Sequence, residues 1–178
     1  MADLKITAMT SLAAGTVRED VLHIIDDPAG TPINKKVTVG DMLNALNVPV
    51  ALATGAVSIT EALHSHRISM LPDQASGGGV LTLPTPIVGM VFRFTYNGAA
   101  TDAHNTLIVP PAGVDFTGSL AFFDSDNNTS VVSAAADGSA DTLTLITPQN
   151  MDILLTATST TKYHISGYMT SATAPTIA

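Results

Sequence analysis

Between residues 91 and 96 the chain reads Val-Phe-Arg-Phe-Thr-Tyr, and every second side chain is aromatic. A period of two marks an extended strand, whose successive side chains point to opposite faces. Phe92, Phe94 and Tyr96 therefore share one face, against Val91, Arg93 and Thr95 on the other. A strand with three rings on one side has to bury them under a second sheet or another subunit. Residues 88–109 as a whole read as two strands joined by a loop. The loop, Asn97-Gly98-Ala99-Ala100-Thr101-Asp102, carries turn-forming residues. The second run, Leu107-Ile108-Val109, stops at Pro110-Pro111, which cannot continue a ladder.

The same short-strand pattern fills the chain from residue 80 onward. Strands are expected at 80–83, 119–123, 142–147, 151–158 and 162–170, with a short edge strand at 131–135. Leu120 and Phe122 fall on one face of their strand, Ala121 and Phe123 on the other. Tyr163, Ile165 and Tyr168 are expected to point inward. Strands at this spacing, with Gly, Asn and Asp between them, indicate an antiparallel β-sandwich of jelly-roll type. The tail, residues 173–178, is expected to be loosely held or docked on a neighbour.

The first 47 residues have a different character. They hold Lys5, Arg18, Lys35 and Lys36, four of the seven basic residues. Residues 5–7 suggest a short strand and residues 8–14 a turn of helix. The run Val21-Leu22-His23-Ile24-Ile25 is a strand, Asp26-Asp27-Pro28-Ala29-Gly30-Thr31-Pro32 a turn, and Lys35-Lys36-Val37-Thr38-Val39 the returning strand. A short helix follows at 42–46, capped by Asp41 or Thr38 and ended by Pro49. The expected division is a hairpin-plus-helix module at 1–47, a linker at 48–79 and a β-sandwich at 80–178. Within the linker, Ser58 and Glu61 suggest a helical turn. Gly77-Gly78-Gly79 suggests a hinge or tight turn.

Composition removes several function classes. With no cysteine, the 178 residues contain neither disulfides nor thiolate metal sites. A chain of this length can bury roughly 70% of its unfolded surface without such staples. Only 12% of residues are charged and the formal net charge is −8. Nucleic-acid binding, which needs clustered Lys and Arg, is not expected. Neither a secretory signal nor a membrane-spanning run is read from the sequence, so no membrane partner is expected. The sparse charge leaves a surface of Ser, Thr, Asn, Ala and Gly, suited to a protein packed among others.

Motifs of catalysis are sparse. His64 and His66, two apart, would share a face if the segment were a strand, and Glu61 is the nearby carboxylate. A polar linker is the simpler reading, and no metal is assigned. Asp124-Ser125-Asp126-Asn127-Asn128 opens like a calcium loop, but Thr129 stands at the glycine position and Ala135 at the glutamate position. A hairpin turn is the better reading. There is no G-x-S-x-G elbow and no phosphate-binding glycine loop. The reading is therefore a non-enzyme without cofactor.

Two stretches carry a resemblance. LKITAMTSL followed by DVLHIIDDPAGTPINKKVTVGDML, within residues 3–46, resembles the N-terminal segments of bacteriophage virion proteins that attach an outer component to the particle. IVGMVFRFTYNGAATDAHNTLIV, with the later SGYMTSATAP, is similar in pattern to outer-capsid β domains of tailed phages of aquatic bacteria. The resemblance implies a head decoration (cement) protein on the outer capsid surface of the virion. Its partners would be the major capsid protein and, in a homotrimer, further copies of itself. Val21, His23, Ile25, Lys35, Lys36, Val37 and Val39 are then the expected capsid contact. Phe92, Phe94, Tyr96, Phe122 and Tyr163 are expected in the domain core or the trimer interface. The alternative is a head- or tail-fibre receptor-binding protein attached through the same arm. It would show exposed aromatic or acidic groups in a groove, and commonly a repetitive shaft, which the sequence lacks.

Overall fold

The computed structural model describes residues 21–26, 30, 33–75, 77–98, 101–126, 131–140 and 142–178. The chain divides into two compact units, Met1–Leu46 and Asn47–Ala178. In the first, β1 (Val21–Asp26) pairs antiparallel with β2 (Ile33–Thr38). α1 (Val39–Asn47) follows directly, and Pro49 stands two residues beyond its end. The residue before a proline is driven from helical geometry, which sets that limit. Val39, expected in the returning strand, is instead the first residue of the helix. The strand expected at 5–7, the helical turn at 8–14 and most of the 26–32 turn lie outside the described residues.

The second unit is a mainly-β sandwich. Its strands are β3 (Val50–Ala51), β4 (Ala56–Ser58), β5 (Ile68–Leu71), β6 (Gly79–Thr82), β7 (Val91–Tyr96) and β8 (Thr106–Val109). Then come β9 (Asp115–Asp124), β10 (Val131–Ala140), β11 (Leu143–Leu145), β12 (Asn150–Ser159), β13 (Lys162–Ser171) and β14 (Thr176–Ile177). A seven-stranded sheet has the order β10-β9-β13-β12-β7-β5-β3, and a five-stranded sheet the order β14-β11-β8-β6-β4. From β3 to β8 the chain changes sheet at every step. It winds as a flat coil, so that β3, β5 and β7 run parallel in one layer and β4, β6 and β8 parallel in the other. After β8 hairpin pairing takes over, as in β9 with β10 and β12 with β13. β13 nevertheless lies parallel to β9.

This architecture corrects several expectations. The sandwich is mixed rather than wholly antiparallel. Residues 48–79 are not a linker: β3, β4 and β5 are built into the two sheets, because their short apolar runs are the first turns of the coil. The strands at 91–96 and 106–109 do not pair with each other; they lie in opposite sheets, and β7 pairs with β12 and β5. Gly77 and Gly78, both at positive φ, form a turn into β6 within the sandwich rather than a hinge. The helical turn is α2 (Glu61–His64), whose cap is Thr60, with its hydroxyl accepting from the Leu63 N–H; Ser58 belongs to β4. The tail is neither loose nor docked elsewhere. β14 pairs with β11, and Thr142 and Ala178 exchange backbone hydrogen bonds at 2.8 and 3.0 Å.

The core lies between the two inner faces. Phe92, Phe94, Phe116, Leu120, Phe122, Ile153, Leu155, Tyr163, Ile165 and Met169 face inward from the larger sheet. Leu81, Ile108, Leu143 and Leu145 meet them from the smaller one. The Tyr163 ring is fully buried and its hydroxyl donates to the Pro84 carbonyl at 3.0 Å, so the one polar atom of a large buried ring is satisfied. Burial pushes that hydroxyl's pKa up to about 12. In β9, Gly118 sits at φ +89, and a Cβ there would lie 2.3 Å from the Ile165 carbonyl oxygen of β13. Only glycine allows the two parallel strands to approach at this point.

Two substitutions test this packing. Phe94→Ala removes a ring with no solvent exposure, and chemical denaturation is expected to show a loss of about 3–5 kcal/mol. Gly118→Ala is expected to cost at least about 2 kcal/mol by the same measurement, from backbone strain and the clash together.

Candidate functional site

The seven-stranded sheet has an outer face that turns away from the core. Strand alternation places Arg93 of β7, Asp152 and Leu154 of β12, Tyr168 of β13 and Phe123 of β9 on it. Register brings them together. Asp152 is opposite Tyr168 on one side and Thr95 on the other, and Leu154 is opposite Arg93. The Arg93 guanidinium reaches diagonally and donates from Nε and Nη2 to the two Asp152 oxygens at 2.8 and 2.5 Å. This planar, bidentate geometry fixes both groups. The guanidinium holds the Asp152 carboxyl below the usual carboxylate range, and the carboxylate in turn raises the Arg93 pKa.

Beside the pair, Tyr168 meets Phe123 edge to face, with ring centroids 6.0 Å apart and planes at 84°. The two rings are 36% and 42% exposed, the large aromatics that this face gives to solvent. Tyr168 was expected inward with Tyr163 and Ile165. Its even number puts it with the outward set, while Met169 takes the inward place. Arg93, Asp152, Leu154, Gly167 and Tyr168 line a shallow depression of about 300 Å³.

A second polar cluster sits in the loops around the start of β8. Asp102 is buried, and its oxygens accept from the Gln74 and His104 backbone N–H groups at 2.8 and 2.9 Å. Gln74 Oε1 accepts from the Gly55 N–H at 2.9 Å. The Tyr96 hydroxyl donates to Asp73, and burial with that contact raises its pKa. These bonds tie three loops of the coil together and absorb the polar groups in structure.

The structure sorts the predicted site residues. Phe92, Phe94, Phe122 and Tyr163 lie in the core of one chain, whereas Tyr96 is half-buried at its end. In the N-terminal hairpin, Val21, His23 and Ile25 pair with Thr38, Lys36 and Asn34, whereas Lys35 and Val37 pair with Ile24 and Leu22. The expected contact residues thus occupy two alternating register sets, and Lys36 is exposed. Leu22 of β1 and Met42, Leu43 and Leu46 of α1 are exposed apolar side chains of the same unit, and the sequence reading did not single them out. For the three in α1, the helical i, i+3 and i+4 spacing of Met42, Leu43 and Leu46 was the available signal.

His64 and His66 are not on a strand. His64 ends α2 and is buried, while His66 is exposed at φ 59. Among the described residues, no group of three or more His, Asp or Glu side chains is placed to hold a metal ion. At the expected hairpin turn, Asp124 Oδ1 accepts from the Asp126 N–H at 2.9 Å, and residues 127–130 lie outside the described set. No described helix is long and apolar enough to cross a membrane. Comparison with known protein families and with curated proteins finds no match.

His64 gives a pH test. The Thr60 N–H donates to Nδ1 at 3.0 Å, a contact that suits the neutral ring. Burial, and to a lesser degree Arg67, lower its pKa below the ordinary 6.5, against a contact with the Thr60 carbonyl that acts the other way. The folded state therefore binds fewer protons than the unfolded state just below pH 6.5, and stability falls as pH drops through that window. Thermal unfolding across pH 4–7 is expected to show this loss, and His64→Gln is expected to flatten it.

Proposed function

We propose that this protein is a bacteriophage virion component that binds the outer surface of the capsid and stabilises it as a decoration (cement) protein. The observation that carries the reading is the separate front unit, Met1–Leu46, with four large apolar side chains more than 40% exposed. The described part of that unit, a two-stranded hairpin with one short helix, leaves them exposed. Exposed apolar side chains of this kind, in a unit whose sequence also carries Lys35 and Lys36, suit contact with a partner protein. The resemblance of the same residues to virion attachment segments gives that partner its class, the major capsid protein.

In this reading the hairpin positions Val21, His23, Ile25, Lys35, Lys36 and Val37, with Val39 and the rest of α1, form the capsid contact. The sandwich supplies bulk and self-association. Assembly as a trimer would hold three such units on neighbouring capsid subunits, and linked weak contacts give firm attachment. The ends of the seven-stranded sheet, β10 and β3, are edges that a closed oligomer can protect.

Co-sedimentation of the full-length protein with expanded capsids tests the proposal. Met42→Gln with Leu46→Gln keeps good helix formers at exposed positions, so folding is expected to be unchanged. Loss of the two apolar contacts is expected to weaken capsid binding by about tenfold, near 1.4 kcal/mol. Capsid binding equal to the parent protein, or none by the parent protein itself, would overturn the reading.

A further inference from the structure

The depression on the outer face of the seven-stranded sheet has a chemistry that the capsid contact does not use. Three properties restrict what it can hold. First, its charges cancel. Arg93 and Asp152 are locked together by two hydrogen bonds, so neither is offered as a free ion. An anionic ligand would meet a neutralised guanidinium on a chain of net charge −8, and a cation would meet a carboxylate already paired. Secondly, the pair is not exhausted. The bidentate contact uses Nε and one Nη2 hydrogen of the guanidinium, leaving the other N–H donors, and each carboxylate oxygen keeps a second lone pair. Donors and acceptors therefore stand side by side, in fixed positions, at the rim.

Thirdly, an aromatic platform adjoins the polar pair. Asp152 and Tyr168 are directly opposite in the β12–β13 register, so the carboxylate and the ring are immediate neighbours. Phe123 packs against Tyr168 with the two ring planes nearly perpendicular. Gly167, which lines the depression, is at φ +123, and a Cβ there would lie 2.1 Å from the Asp152 carbonyl oxygen. That contact holds the position to glycine, so residue 167 adds no side chain to the depression. The depression is open to solvent and about 300 Å³ in volume, room for one or two sugar rings rather than a closed pocket for an apolar ligand.

We propose that this face binds a neutral saccharide. A pyranose has one apolar C–H face and a rim of adjacent hydroxyls that both donate and accept. The C–H face lies on the Tyr168 ring, and adjacent hydroxyls bridge the spare donors of Arg93 and the spare acceptors of Asp152. The site is on the sandwich, in residues remote in sequence from the N-terminal unit, so its test is independent of capsid binding.

Ligand-observed NMR with the full-length protein tests the proposal. The probes are a panel of neutral gluco-, manno- and galacto-configured oligosaccharides, with sulfated and sialylated oligosaccharides as charged comparators. At least one neutral oligosaccharide is expected to bind, with the charged set at least tenfold weaker. Tyr168→Ala is expected to weaken that binding tenfold or more, and Tyr168→Phe, which keeps the ring, to restore most of it. Arg93→Gln supplies a second variant that leaves the aromatic pair in place, and it too is expected to weaken binding. Absence of binding by every neutral probe would overturn the proposal. So would preference for the charged set, or unchanged binding by both folded Tyr168→Ala and Arg93→Gln.

Discussion

A strand that leaves its sheet at every step cannot pair with the strand that follows it. This constraint governs the first half of the sandwich. From β3 to β8 each strand pairs with the one two strands away, and the direction of travel makes those pairs parallel. Parallel pairing requires a crossover connection, which is usually a helix. Here the crossover is a strand of the opposite layer, so one length of chain serves as connection and as second sheet. Both inner faces are then supplied together, and Leu81, then Phe92 and Phe94, then Ile108 come from successive passes of the coil.

Periodicity made the faces legible and left the partners hidden. The alternation at 91–96 correctly separates Phe92 and Phe94 from Arg93, because a period of two fixes which side chains go together whatever lies opposite. It contains no information on which strand that will be. The stretch 88–109 therefore looked like two paired strands, although its halves belong to different layers. The strands within 48–71 were missed for a related reason. β3 and β4 are two and three residues long, too short for alternation to register, and are held by their neighbours rather than by their own pattern. The tail was misjudged similarly, since β14 is a two-residue strand that exists only because β11 accepts it.

The candidate saccharide surface was the least legible part. Its residues come from β7, β9, β12 and β13, so the sequence spreads them over residues 93–168. By alternation alone Arg93 is merely the outward neighbour of two phenylalanines, and the sequence suggests an inward Tyr168. Only the β12–β13 register, which sets Asp152 against Tyr168, puts charge and ring together. In a chain with 12% charged residues, a bidentate ion pair beside two exposed rings is a local concentration of recognition chemistry on an otherwise Thr- and Ser-rich surface.

Among the described strands, the two layers of the coil end together. β3 is the outermost strand of the larger sheet and β4 of the smaller, and they are consecutive in the chain. Another pass inserted just ahead of residue 50 would add one strand to each layer in step, with the hairpin half of the sandwich undisturbed. Length variation in such a scaffold can thus arrive in whole windings, as in a spring that gains or loses coils at its free end.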